Sequence, residues 1–238
     1  MSLRDVLAGC LPADHSRQVN APYYAQQVVA DLRPKVVVDL GCGVGGSYDL
    51  FRKLDPAIRW LGIDIRDSPE ARGRTGGDEL VVYYDGVHLP LRDDSVPVIY
   101  CRQVLEHVVH PRPVLAEVHR ALAPGGVFVG STSQLEPYHS YSVWNFTPYG
   151  FRTIVEETGL RVREIRPSID GPTMIRRQYL GNPPGYRRFF ASESPLNAQI
   201  EEWAHRERIA PDVTNARKLQ FSGQFAFLAE KPAVGARG

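Results

Sequence analysis

The 238-residue chain is short of several things, and each shortage closes an avenue. It holds only three cysteines, Cys10, Cys42 and Cys101, far apart and without C-x-x-C or Cys/His spacing. That usage suits a reducing compartment and offers neither a disulfide framework nor a cysteine metal site, so no metal is expected from the sequence. It has no charge surplus, because 28 basic residues face 27 acidic ones and the formal charge is +1. No global field then attracts nucleic acid or a membrane surface, and any basic patch has to be local. No apolar run reaches membrane-spanning length, and Arg4 and Asp5 interrupt the stretch before LAGC, Leu7 to Cys10, that a leader peptide would keep apolar. A cytoplasmic protein is expected. There is no repeat or low-complexity segment, and the length suits one large α/β domain with a substantial core.

What is present begins with VVVDLGCGVGG, Val36 to Gly46, in which β-branched residues run into clustered glycines. This predicts a buried parallel strand, a tight turn and a helix starting near Gly45. Gly41, Gly43 and Gly46 satisfy the dinucleotide pattern G-x-G-x-x-G. Asp39 stands inside DLGCG, however, where a carboxylate near the strand end repels pyrophosphate and attracts an ammonium group. Apolar runs at Lys35 to Leu40, Ile58 to Ile65, Leu80 to Asp85 and Pro97 to Cys101 each finish on or near a carboxylate or polar residue, and in an open parallel sheet those ends face the ligand crevice. Asp64 could accept both ribose hydroxyls, and Asp85 an adenine amine, with the Gly86 and Val87 backbone reading the ring nitrogens. Asp39 or Asp85 could equally cap a turn.

Strand and helix signals alternate along the rest of the chain. QVVADL, Gln27 to Leu32, predicts a helix packed beneath the first strand. RPVLAEVHRAL has helical spacing and APGG breaks it before the strand VFVGS. In Phe146 to Leu160, Thr147 caps a helix, Pro148 opens it and Gly159 follows its end. Strands around Leu160 to Ile165 and Gln224 to Glu230 complete a doubly wound, mostly parallel, seven-stranded α/β sheet. The expected organisation is an N-terminal helical segment over 1–34, a core over 35–165 and 220–232, and an inserted substrate cap over 166–219. The insertion carries six prolines amid aromatics and arginines, with one helix signal near Leu196 to Ile209.

DLGCGVGG, LGIDI, YDGVHLPL, VIYCRQVLEHV, VLAEVHRALAPGG and WNFTPYGF, in this order, resemble class I S-adenosylmethionine-dependent methyltransferases of the UbiE/COQ5-like group over roughly Val36 to Ile165. The resemblance implies S-adenosyl-L-methionine as cofactor. It implies that Asp39 lies near the methionine end, with Gly41 and Gly43 approaching closely. Asp64 and Ile65 would meet ribose and adenine, Asp85 to Val87 adenine, and Cys101 and Arg102 the sulfonium side. The chain departs from that group in DIRDSPEARGRTGGDEL, too rich in Gly, Pro and charge for a full helix, and in the insertion, which has no family motif.

Methyl transfer needs an in-line acceptor and exclusion of water, and a hydroxyl acceptor also gains from a general base. His139, among Tyr138, Tyr141, Trp144 and Phe146 in the loop after the fifth strand, is the first candidate, and His107 in LEHV the second. Either could be structural instead: a surface loop histidine, or one that orients its loop. In IRRQYLGNPPGYRRFF, Arg176, Arg177, Arg187 and Arg188 flank a turn among aromatics, and Arg161 to Gln220 holds 11 basic against 7 acidic residues. Arginine forks suit phosphate or carboxylate, which points to an anionic small molecule such as a sugar, phosphorylated metabolite or natural-product intermediate. The same arginines could instead pair with Glu193, Glu201, Glu202 and Glu207. RNA or protein methylation, a dinucleotide-dependent oxidoreductase and a non-catalytic binding protein are the competing functions. No nucleic-acid partner is expected, and oligomeric state is not legible.

Overall fold

The computed structural model describes residues 2–71 and 80–233. Seven strands form one sheet: β1 (Val36–Leu40), β2 (Arg59–Asp64), β3 (Val81–Tyr83), β4 (Val96–Arg102), β5 (Leu122–Ser133), β6 (Arg161–Pro167) and β7 (Gln224–Glu230). Their order is β3-β2-β1-β4-β5-β7-β6. β7 alone runs antiparallel to its neighbours, so β6 points the same way as β1 to β5. The order reverses between β1 and β4, and the crevice beyond their C-terminal ends is the ligand position of such a sheet. This is the doubly wound, Rossmann-like fold expected.

Eight helices accompany the strands among the described residues: α1 (Leu3–Val6), α2 (Ala21–Leu32), α3 (Gly46–Leu54), α4 (Pro111–Ala121), α5 (Pro148–Glu156), α6 (Gly171–Tyr179), α7 (Pro195–Glu207) and α8 (Pro211–Leu219). One sheet face carries α4 and α5 over Leu40, Ile63, Ile99 and Phe128. The other carries α2 and Phe51 of α3 over Val37, Val98, Tyr100 and Val129. None of the described helices is long and apolar enough to cross a membrane.

Three local expectations need correction. Helix α2 packs chiefly on β4, β5 and β7 rather than on β1, with its stripe of Ala21, Tyr24, Ala25 and Val28 across them, because that face of the sheet needs covering over its centre. APGG does not separate helix from strand, because β5 already pairs at Leu122 with Val96 and absorbs the glycines in a register shift. The insertion is more regular than its prolines suggested, since Pro172, Pro195 and Pro211 open α6, α7 and α8 in their first turns and Pro184 opens a 3₁₀ helix, Pro184–Phe190. Its first two residues, Arg166 and Pro167, belong to β6. The connection between β2 and β3 falls partly outside the described residues, and the expectation of a missing helix there is not tested.

Residues 10–19 cover the outer edge of β6. Ile165 N–H donates to the Cys10 carbonyl (2.9 Å) and Val19 N–H to the Pro167 carbonyl (3.0 Å). The buried Arg166 guanidinium holds both Asp14 oxygens, at 2.9 and 3.0 Å, and Glu164 at 2.9 Å. The insertion is fastened by Lys218, wholly buried, whose ammonium donates to Glu201 (2.6 Å), Glu193 (3.1 Å) and the Ser16 carbonyl (2.8 Å). A buried cation needs such partners to offset its lost hydration.

Candidate active site

At the tip of β1 the chain must turn within the width of a strand, and Gly41 does so at φ +72° with its N–H on the Ile63 carbonyl (2.7 Å). A Cβ there would come within 2.4 Å of Val104, so no other residue fits. Gly45, also left-handed, then caps α3, which starts at Gly46 rather than Gly45. Asp39 is 3% exposed, accepts a hydrogen bond from Ser47 and feels the charge of Arg102. Burial pushes its carboxyl up to about 7; Ser47 opposes this and the Asp64 charge adds to it. Trp60 Nε1–H donates to Ser47 Oγ (2.8 Å), so a tryptophan, a hydroxyl and a carboxyl form one chain beneath the glycine turn.

Asp64, 5% exposed, accepts from the Gly43 N–H (2.8 Å) and the Ile65 N–H (2.8 Å). The structure therefore brings Asp39, Gly41, Gly43, Asp64 and Ile65 to one set of adjacent strand tips. Asp85 behaves differently. It is exposed, accepts from Val87 N–H (2.8 Å) and His88 N–H (2.7 Å), and pairs with the His88 ring, which holds its carboxyl far below the usual range. The turn-capping alternative thus describes Asp85 and Gly86 well. Cys101 packs wholly inside the core, where desolvation raises its thiol, so its side chain does not open on the crevice, while Arg102 is exposed at the strand end.

The two histidines chosen separately meet in space: the His107 and His139 rings stand 5.2 Å apart, edge to face. A 3₁₀ turn, Leu105–His107, carries the first, and the loop after β5 carries the second. The Glu106 carbonyl joins these two pieces by accepting from Val143 N–H (2.7 Å) and Trp144 N–H (3.0 Å). Trp144 Nε1–H further donates to the Val108 carbonyl (2.9 Å), while Tyr138 and Tyr141 stand largely in solvent. His139 Nδ1 lies 3.1 Å from the Pro137 carbonyl and 3.7 Å from Glu136. Desolvation, then His139, lowers the pKa of His107, and its buried Nδ1 has no hydrogen-bond partner. Gln103, Ser140 and Tyr141 adopt left-handed backbone in the segments that carry this histidine pair, a strain that concentrates at ligand sites. Glu70 ties the pair to the glycine turn: its charge acts on His107, and its Cβ lies 3.3 Å from where a Cβ of Gly43 would stand.

Three participants escaped the sequence. Ser47 carries a weak signal, a hydroxyl in the first turn after the glycines. Glu106 is fully buried, accepts from Thr132 (2.9 Å) and Ser133 (3.1 Å), and is pushed up to about 7 by burial. Glu136, beside it through Ser133, is the third. Glu106 adjoins His107 in LEHV, but its partners lie 26 and 27 residues away, beyond any local pattern.

The four insertion arginines do not share one role. Arg176 and Arg188 line a cavity of about 650 Å³ with Thr173, Tyr186, Phe189 and Gln199. Arg177 stacks over Phe190 (5.4 Å) and Arg188 over Phe189 (4.8 Å). Arg187 is exposed. Among the described residues none of the four pairs with Glu193, Glu201, Glu202 or Glu207; Lys218 takes the first two and Arg206 the last. Asp170 is the buried N-cap of α6, accepting from Thr173 N–H (2.7 Å) and Leu196 N–H (3.1 Å).

Residues 38–130 match a family described as methyltransferase domain. The chain is 33% identical over 116 residues to a probable S-adenosylmethionine-dependent methyltransferase of Mycolicibacterium smegmatis, covering 44% of each protein. It is 33% identical over 144 residues to the phthiotriol/phenolphthiotriol dimycocerosates methyltransferase of Mycobacterium tuberculosis, covering 56% of this chain and 52% of the relative. The matched region thus spans about half the length of these curated relatives. In fold it is similar to an S-adenosylmethionine-dependent methyltransferase structure from Mesorhizobium loti, with a TM-score of 0.53, 20% identity and coverage of 88% of this chain and 97% of that one.

Proposed function

We propose that this chain, whose core is a class I S-adenosylmethionine-dependent methyltransferase domain, methylates a hydroxyl or amine of an elongated, anionic small molecule. The observation that carries this is the set of two buried strand-tip carboxylates and a glycine turn, with a pair of imidazoles that Glu70 links to that turn. The site suits the cofactor S-adenosylmethionine. Asp39 is a buried carboxyl that desolvation holds toward its neutral form against the Arg102 charge, and an ammonium group would favour its ionised form, while Asp64 sits where ribose hydroxyls would be accepted. Gly41 and Gly43 would allow close backbone approach, Ile65 would border the adenine, and Asp85 to Val87 and Arg102 would complete the rim.

When bound, the cofactor supplies a sulfonium methyl group, whose carbon–sulfur bond breaks as the acceptor–carbon bond forms and the acceptor's proton departs. The chain's contribution is orientation, exclusion of water and activation of the acceptor. His139 and His107 would activate it, while Tyr138, Tyr141 and Trp144 would close over it. Its anionic end would rest between Arg176 and Arg188, with Arg177 and Arg187 adding positive charge. Three inter-strand steps separate β4 from β6, about 14 Å at ordinary spacing, so an acceptor spanning both must be long. The Gln178 Nε2–H···O=C bond to Tyr138 (3.1 Å) joins the insertion to the aromatic loop and supports a shared acceptor channel.

The test is calorimetry with S-adenosylmethionine against nicotinamide cofactors, followed by labelled methyl transfer into a metabolite extract, total RNA and total protein. Label in anionic metabolites with selective S-adenosylmethionine binding is expected. Label confined to RNA or protein would replace the acceptor class, and nicotinamide binding alone would remove the proposal.

A further inference from the structure

One nitrogen of His107, one nitrogen of His139 and one carboxylate oxygen of Glu106 lie within 4.8 Å of one another. Two imidazoles and a carboxylate are the donor set of open zinc sites and of facial iron sites, which leave positions for a further ligand. The surrounding protein has already oriented each donor. His139 Nδ1 faces the Pro137 carbonyl at 3.1 Å, so in the neutral ring the proton sits there and Nε2 keeps its lone pair. His107 Nδ1 is buried and without a partner, an unspent donor at a place where polar atoms are normally satisfied. Glu106 is steadied from behind by Thr132 and Ser133, at 2.9 and 3.1 Å, the outer-shell support that ligating carboxylates require. The three donors come from two chain segments that the Glu106 carbonyl clamps together through Val143 and Trp144.

We propose that Glu106, His107 and His139 form a binding site for one divalent transition-metal ion, open toward the acceptor. This rests on the methyltransferase reading only for its purpose. The bound ion coordinates the acceptor oxygen and makes its proton easier to lose to water before the methyl group arrives, which is how the two imidazoles activate a hydroxyl. The ligand class is a cation that accepts nitrogen and oxygen donors together, such as zinc, cobalt, iron or manganese in the divalent state, rather than calcium or magnesium, which favour all-oxygen sets.

The experiment uses untagged full-length protein, stripped with chelator and titrated with Co²⁺ while visible absorption and calorimetry are recorded. One Co²⁺ per chain is expected, displaced by Zn²⁺, with affinity at least about 100-fold weaker in His107→Ala and in His139→Ala. His139 lies on a half-exposed loop, so its variant tests the site even where substitution of the buried Glu106 prevents folding. S-adenosylmethionine affinity, measured on the same samples, should stay within about twofold, because both histidines lie outside the strand-tip contacts. Absence of saturable Co²⁺ binding, or binding indifferent to both histidine variants, overturns the metal site and leaves methyl transfer untouched. Co²⁺ binding without S-adenosylmethionine binding upholds the metal site and removes the methyltransferase reading.

Discussion

The two flanks of the sheet hold themselves together by different means. Around β1 and β2 the contacts are short in sequence and made by hydrogen bonds: Ser47 reaches Asp39 across 8 residues and Gly43 reaches Asp64 across 21. Around β6 they are long in sequence and ionic, for Arg166 reaches Asp14 across 152 residues and Lys218 reaches Ser16 across 202. The first flank offers a cofactor rigid geometry; the second fastens an insertion whose shape can vary without disturbing that geometry. Under the proposed function, cofactor chemistry belongs on the first flank, and choice of acceptor on the second.

The largest effect that would sharpen this contrast is at Lys218. Lys218→Ala strands two carboxylates around an empty buried position and should cost about 3 kcal/mol in urea denaturation, with Lys218→Met recovering part of it. A loss below about 1 kcal/mol would mean that the ionic fastening is decorative. Next comes Asp64→Ala, expected to weaken S-adenosylmethionine about 30-fold by calorimetry, since a charge-assisted acceptor contributes roughly 2 kcal/mol. Unchanged affinity would remove the ribose assignment.

A smaller effect separates the flanks by pH. Asp39 has a carboxyl near 7 in the fold against 3.8 as its ordinary value, so it takes up a proton on folding. Its contribution to stability is present below pH 3.8 and lost as pH rises through 7, so the ligand-free protein should lose stability across that window. Cofactor affinity should move the other way, rising about tenfold from pH 6 to 8 as the ionised carboxylate becomes available to an ammonium group. Parallel changes in both would exclude Asp39 as the cofactor's counter-charge. The smallest effect is expected at Asp85→Ala, about twofold in affinity, because its carboxylate is exposed and bound within its own turn.

The same contrast explains what could be read from residues alone. Asp39, Gly41 and Asp64 were legible because a strand, a turn and the next strand place them within 26 consecutive residues, where local rules operate. His107 and His139 were legible one at a time, each by its loop, but not as a pair, since their meeting depends on the Glu106 carbonyl holding both segments. Lys218 gave no sign at all: a lysine in a charged helix looks solvent-facing until two distant glutamates and a carbonyl surround it. The prolines of the insertion misled for a related reason. Pro172, Pro195 and Pro211 read as breakers, yet each occupies the one helical turn that tolerates it.

The strip from Cys10 to Val19 has a bearing on how the molecule is made. It finds nothing to lie along until Ile165 and Pro167 follow it in the chain, some 150 residues afterwards. At ordinary synthesis speeds that is a wait of roughly 10–30 s. Within it β1, β2, β4 and β5 are all made. Birth order alone therefore lets the glycine turn and its strands take shape before β6 and β7 complete the far border.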